Sequence, residues 1–315
     1  MTVTVDAHVH VYEAGDWPSR WFDYVATQWA NKAPSRHPED VRGRIEAGLA
    51  DPGGDRLLGQ MDRHGVDISI VLGLDWGLGM DCEPSNNLGD IHDRYARLAG
   101  RTGGRVLAFA GVDPRREGAV AVLEDALDRH GLVGLKLYPP AGFYAYEDCV
   151  LPLYAACADR GVPVAVHCGE TLGLLRPRFA NPLYVQDVQR RHPSLTLWIA
   201  HAGAPWWWDE AVSVAAAGVD TYLELSQWQD VAFEDEERFV RNLGRALRVL
   251  GPERILFGSD HISGLRVRPE EGYARWLEWF RDLPARARRY GVSLSEDDVG
   301  AMLGGNAVRC LGVER

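Results

Sequence analysis

Val3-Thr4-Val5-Asp6-Ala7-His8-Val9-His10 is the stretch from which the fold is read. Its residues alternate, and side chains alternate across a strand, so Val3, Val5, Ala7 and Val9 are assigned one face and Asp6, His8 and His10 the other. An apolar face turned toward helices directs both imidazoles inward, at the C-terminal end of a first strand. Seven more short β-branched runs follow: Ile68 to Leu72, Val106 to Gly111, Gly134 to Tyr138, Val162 to His167, Thr196 to His201, Thr221 to Leu225 and Ile255 to Gly258. Between them lie amphipathic segments long enough for crossover helices, such as Asp55 to His64, Leu123 to His130, Leu151 to Arg160, Ala211 to Ala217 and Glu236 to Leu250. Several stop at a glycine placed as a helix C-cap: Gly65, Gly131, Gly161, Gly218 and Gly251. Eight strands alternating with helices, without a linker or tandem repeat, predict one (β/α)₈ barrel over residues 1–315.

Active sites of such barrels lie at the C-terminal ends of the strands, so chemistry-bearing residues there carry weight. His167 closes the fifth run, His201 the sixth, and Asp260 follows the eighth. Taken alone, Asp260 reads equally as a cap and His167 as a core histidine. Together with His8 and His10 they make a nitrogen-and-oxygen set suited to zinc or another divalent first-row metal, manganese or iron included. His201 is assigned proton transfer, with a further ligand role as its competitor. Asp260 is a second candidate for the acid–base work.

Lys136 lies between Leu135 and Leu137, which are expected to face the helices, so its ammonium points into the barrel and needs a partner. Three partners are considered: a carboxylate such as Asp260, an anionic substrate group, or carboxylation that bridges a second metal. Trp206, in Pro205-Trp206-Trp207-Trp208, is a candidate for stacking on substrate. Cys168, next to His167, is expected to line the site. The connection from about Val11 to Gly54 carries Trp17, Trp21, Phe22, Tyr24 and Trp29, and is read as an aromatic-rich loop packed as a lid. His37, His64, His92, His130 and His192 fall away from strand ends and are read as surface residues.

Composition narrows the partners. Among 315 residues, 46% are hydrophobic and 25% charged, the ordinary range for a globular domain. A net charge of -11 leaves no basic face for a nucleic-acid backbone. No apolar run reaches a membrane span, and no export signal is visible, so a cytoplasmic location is expected. The five cysteines form no CxxC pair and are expected as reduced thiols. A small molecule is the expected partner, and a homodimer fits these properties equally well.

The segments DAHVH (Asp6 to His10), GLKLYPP (Gly134 to Pro140), VAVHCG (Val164 to Gly169), IAHAG (Ile199 to Gly203), ILFGSD (Ile255 to Asp260) and GGNAVRCLG (Gly304 to Gly312) span nearly the whole chain. In order and spacing the set resembles the amidohydrolase superfamily, specifically the amidohydrolase-related branch that includes aminocarboxymuconate-semialdehyde decarboxylase. The resemblance implies a distorted barrel and one metal ion, usually zinc, held by His8, His10, His167 and Asp260, with His201 as acid/base. It implies a structural role for the terminal Asn306 motif.

Lys136 departs from the decarboxylase pattern and favours hydrolysis, of an amide, lactone or related cyclic acyl compound by a metal-activated water. The alternative is non-oxidative decarboxylation of a small unsaturated or aromatic acid, with Arg176 and Arg178 gripping a carboxylate. A third reading is a barrel that keeps its shape and works only as a binding protein.

Overall fold

Strand β1 (Val5–His10) pairs in parallel with β2 (Ile68–Leu72), as the alternating N-terminal run requires. β3 (Val106–Gly111), β4 (Leu135–Leu137), β5 (Val164–His167), β6 (Leu197–Ala200), β7 (Thr221–Glu224) and β8 (Ile255–Leu256) follow, each parallel to its predecessor. These coordinates are a computed structural model that describes residues 3–32, 36–262 and 270–313.

The eighth strand is interrupted. Its first part, β8, leans on β7, and its second, β9 (His261–Ile262), pairs with β1. Between them the Ala7 amide donates to the Phe257 carbonyl (3.0 Å) and the Asp260 amide to the His8 carbonyl (2.8 Å). The sheet therefore returns to its first strand, and the predicted barrel closes through a strand in two pieces. That break is the distortion, and Asp260 lies in it.

β1 is irregular as well. Val5 pairs with Ile68 and Asp6 with Ser69, but Val9 pairs with Val71, so the register shifts between Asp6 and Val9. An extra residue in a strand turns the following side chains over. Val5 accordingly packs with Ile68, Ile70, Phe109 and Trp198, a cluster built from strand residues and the C-terminal helix Asn306–Leu311, the barrel interior. Val9 packs in the larger cluster with the surrounding helices. The uniform alternation read from the sequence thus fails at Asp6: its carboxylate accepts from the amide (3.0 Å) and hydroxyl (2.6 Å) of Ser259 and does not join the histidines.

The crossover helices Asp55–His64, Leu151–Arg160 and Glu236–Leu250 coincide with the expected segments, and Ala119–Asp128 and Trp208–Ala217 begin a few residues early. Gly65 and Gly161 end their helices at φ +64°, the left-handed conformation expected of a glycine cap, whereas Gly218 is extended (φ -86°). The connection after β1 is not a loop. It forms the helices Ser19–Asn31 and Pro38–Leu49, whose buried faces join Tyr12, Trp17, Trp21 and Phe22 to Trp76 from the β2 side in a core of its own. Residues 33–35 of that connection lie outside the described residues. Asn306 is fully buried and donates to the carbonyls of Pro252 (2.8 Å) and Ile255 (2.7 Å), which ties the C-terminal segment to the start of β8. Among the described residues no helix is long and apolar enough to cross a membrane.

His92 corrects the sequence reading, because it is 1% exposed. On the helix Leu88–Arg101 it shares the buried face with Ile91, Tyr95 and Leu98, so helical spacing puts it inside. Burial pushes its pKa down to about 4. A histidine neutral in the fold but protonated in the unfolded chain stabilises fully above its unfolded pKa, near 6.5, and loses that contribution as pH falls through about 4. By pH 5 the loss is about 2 kcal/mol. His92→Gln is expected to flatten the fall in urea midpoint between pH 7.5 and 5; an unchanged pH profile would show that His92 does not titrate with unfolding.

Candidate metal and acid–base centre

The strand ends bring the candidate residues together. His8 and His10 come from β1, His167 closes β5, His201 follows β6, Glu224 closes β7, and Asp260 sits in the break between β8 and β9. Four non-glycine residues at these ends are left-handed: His201 (φ +69°), Ala202 (φ +43°), Gln227 (φ +66°) and Asp260 (φ +53°). Each such residue costs about 1–3 kcal/mol, and strain of this kind concentrates at functional sites. Its effect here is to turn His201, Gln227 and Asp260 to face one cavity.

Glu224 organises the floor. Its carboxylate accepts from His8 Nδ1 (2.8 Å), the His201 amide (3.1 Å), and the amide (2.7 Å) and hydroxyl (2.8 Å) of Ser226. Burial alone would raise its pKa, but the His8 imidazole and the Ser226 donors outweigh burial and hold it below the ordinary carboxylate range. Gly258 makes this approach feasible, since a Cβ there would stand 2.1 Å from Glu224 Oε1. A carboxylate only accepts, so the His8 proton sits on Nδ1; His10 Nδ1 likewise donates to the Leu72 carbonyl (2.8 Å).

Both histidines therefore present an Nε2 lone pair to the cavity, the arrangement in which imidazoles bind metals. His10 Nε2 lies 3.2 Å and His8 Nε2 3.5 Å from Asp260 Oδ1, and His8 Nε2 is buried without a hydrogen-bond partner among the described residues. Gln227 Nε2 donates to the other carboxylate oxygen, Oδ2 (3.1 Å), which leaves Oδ1 aimed at the histidines. These three donor atoms lie within 4.8 Å of one another and could hold a cation. Burial and the Lys136 charge push His8 down to about 4, so it stays neutral, the form that ligates.

His167 is oriented differently from the expected ligand. Its Nε2 meets the Glu170 carbonyl (3.0 Å), and its Nδ1 faces His201 Nε2 at 3.0 Å. His201 Nδ1 meets Ser226 Oγ (2.7 Å). Burial first, then the neighbouring positive centres Lys136 (for His167) and His167 (for His201), push both well below the ordinary histidine value. His8, His201 and Glu224 form a second group of convergent donors.

Above the floor is a cavity of about 290 Å³ walled by Trp17, Trp21, Trp76, Tyr138 and Leu172. Lys136 also lines it. Leu135 and Leu137 pack outward as expected, and the strand partners of Lys136, Gly111 and Ala165, are small enough to leave its side chain room. Lys136 is 2% exposed, and Nζ makes no hydrogen bond among the described residues, to Asp260 included. Burial pushes its pKa down to about 8 against the pull of Glu224 and Asp260.

The other candidates lie elsewhere. Trp206 is 69% exposed and borders a second cavity with Asp230, Glu234 and Arg238. The Arg178 guanidinium stacks on Phe179 (4.8 Å), and that of Arg176 lies against Gly142, so neither lines the main cavity. Cys168 does not line it either: His167 faces in, so its neighbour faces the helices, where burial pushes the thiol up to about 12. The five cysteines are unpaired. Glu224, Ser226 and Gln227 escaped the sequence reading, although the strand-end rule that selected His167 and His201 applies equally to Glu224. His261, buried (3% exposed) in β9, was also passed over.

The amidohydrolase family model matches residues 5–313, and the chain belongs to that family. It is accordingly an enzyme of the amidohydrolase superfamily. No curated protein matches. A dihydroxybenzoic acid decarboxylase from a Polaromonas species, solved with manganese and the inhibitor 2-nitroresorcinol, is similar in structure: 17% identity, TM-score 0.65, 100% of this chain and 98% of that one covered. So is 5-carboxyvanillate decarboxylase from Sphingomonas paucimobilis (15% identity, TM-score 0.66, 100% of both chains). An uncharacterized TIM-barrel protein from Bordetella bronchiseptica superposes with TM-score 0.67 at 19% identity, over 98% of both chains.

Proposed function

We propose that the chain catalyses the metal-dependent, non-oxidative decarboxylation of a small aromatic carboxylic acid. The observation that carries this reading is the cavity: indole and phenol rings form flat walls directly above the donor cluster, a shape that receives a planar ring and places it beside His201. The decarboxylases of aromatic acids among the similar structures support it. Hydrolysis, which the sequence favoured on account of Lys136, is the lesser reading, because the two similar structures with a stated activity named above are decarboxylases.

His8 Nε2, His10 Nε2 and Asp260 Oδ1 are assigned to one divalent ion, with His167 as the fourth donor once its ring turns away from the Glu170 carbonyl and His201. Bound there, the ion supplies a Lewis acid that draws electron density from substrate oxygens. Three imidazoles and a carboxylate suit zinc, and the manganese of the Polaromonas structure makes that ion the alternative. Elemental analysis of the purified protein decides between them.

The reaction consumes one proton. The bond between ring carbon and carboxyl carbon breaks, its electron pair stays on the ring carbon, carbon dioxide leaves, and a proton takes its place. His201 is the residue we assign to that transfer. Burial holds it neutral at rest, and an arriving anion raises its affinity for a proton, which Nε2 then delivers. Ser226 keeps the ring in place through Nδ1, and the Glu224 anchor on the His201 amide fixes its backbone. The aromatic walls keep water from competing for the carbanion. The protein reconstituted with zinc or manganese is expected to release carbon dioxide from at least one acid in a panel of hydroxybenzoates and related aromatic acids. Acid or amine release from lactones or amides, with no carbon dioxide from the panel, would overturn the reading.

A further inference from the structure

Lys136 presents a physical problem that the proposed reaction does not by itself resolve. It is 2% exposed and its Nζ has no hydrogen-bond partner among the described residues, yet it lines the same cavity as His8, His167, His201 and Asp260. Burying an unpaired ammonium is costly, so a chain keeps one where a ligand completes it. The two carboxylates of the floor are engaged already, Glu224 by His8 and Ser226, and Asp260 by Gln227 while facing the two histidines. Any divalent ion on these donors adds further positive charge. What enters the cavity to pair with Lys136 is therefore an anionic group of the substrate.

Decarboxylation distinguishes two anionic positions on an acid. The charge on the carboxylate disappears as carbon dioxide forms, so a cation fixed to it stabilises the ground state more than the transition state and slows the reaction. The electron pair released stays on the ring carbon, so the fragment that remains gains negative charge and a cation held beside it becomes more strongly bound as the reaction proceeds. Only contacts stronger in the transition state accelerate a step. Resting on the decarboxylase reading above, we propose that Lys136 holds an ionised oxygen that the substrate retains, a phenolate or a second carboxylate, and not the carboxylate that is lost. The substrate class is then an aromatic acid bearing a second ionisable oxygen, and the decarboxylated product keeps the Lys136 contact.

Equilibrium binding tests this without turnover, read from the fluorescence of Trp17, Trp21 and Trp76 in the cavity wall on metal-loaded protein. Three probes serve: a nitrophenol ionised near neutrality (retained oxygen only), benzoate (departing carboxylate only) and nitrobenzene (neither). The wild type is expected to bind the nitrophenolate at least about 10-fold more tightly than nitrobenzene. Lys136→Met, which removes the charge and keeps the length, is expected to lose on the order of 10 to 10² in nitrophenolate affinity while benzoate affinity changes less than about 3-fold. Lys136→Arg, should the methionine variant fold poorly, is expected to keep the preference for nitrophenolate. Loss of benzoate affinity with nitrophenolate retained would overturn the proposal, as would no change for either probe. Failure of the wild type to release carbon dioxide from any acid overturns the decarboxylase reading instead, and the affinity contrast stays readable on the same protein.

Discussion

Asp260→Asn is expected to lose on the order of 10² or more in both metal affinity and turnover while its circular dichroism spectrum stays that of the wild type. Among the described residues Asp260 Oδ1 is the carboxylate oxygen that faces both His8 Nε2 and His10 Nε2, and an amide is a far poorer ligand for a divalent ion. Asparagine also tolerates the left-handed backbone at this position, φ +53°, where alanine adds strain. His8→Ala tests the same assignment less cleanly. It strips Glu224 of one hydrogen-bond donor at full burial, and losing a donor to a buried charged group costs about 1–3 kcal/mol, so this variant is expected to lose stability along with metal. Glu224→Gln touches no donor atom of the cluster, yet weakening its hold on His8 Nδ1 is expected to lower metal affinity about 10- to 100-fold. Elemental analysis after dialysis measures all three. Full metal occupancy in Asp260→Asn would refute the assigned ligand set.

The second large effect separates a proton carrier from a ligand. His201→Asn is expected to retain the metal, bind product analogues nearly as well as the wild type, and lose on the order of 10² to 10⁴ in turnover, the usual worth of a general acid or base. Asparagine is again chosen for the backbone, since His201 sits at φ +69°. The competing role has a geometric basis, because His8, His201 and Glu224 also form a convergent donor group. If His201 ligates, the variant should load poorly and recover part of its rate in excess zinc. Rescue of that kind would defeat the acid–base role.

Much of this centre was legible before any coordinates. His8 and His10 on the first strand and the strands ending in His167 and His201 were placed by a periodicity of two residues, a local property of the backbone. A helix or strand is specified by residues a few positions apart, so their spacing in the chain is enough to place them. The same local logic found Lys136 pointing inward between two leucines. It failed where helical periodicity was not applied, as at His92, and where the connection after β1 looked like a loop but holds two helices.

What the sequence by itself determined is the number and order of strands and which of them end in histidine, lysine or aspartate. The tertiary structure alone decided the rest. The register shift in β1 turns the Asp6 carboxylate away from the imidazoles, the break between β8 and β9 gives Asp260 its place, and the packing of the strand ends leaves Arg176, Arg178 and Trp206 outside the cavity. The tautomer of His8, and with it the lone pair a metal requires, depends on Glu224, 216 positions away in the chain. No local pattern encodes such a bond. Which atoms meet at that distance follows from how eight strands close into one sheet, and closure is set by the packing of the whole barrel.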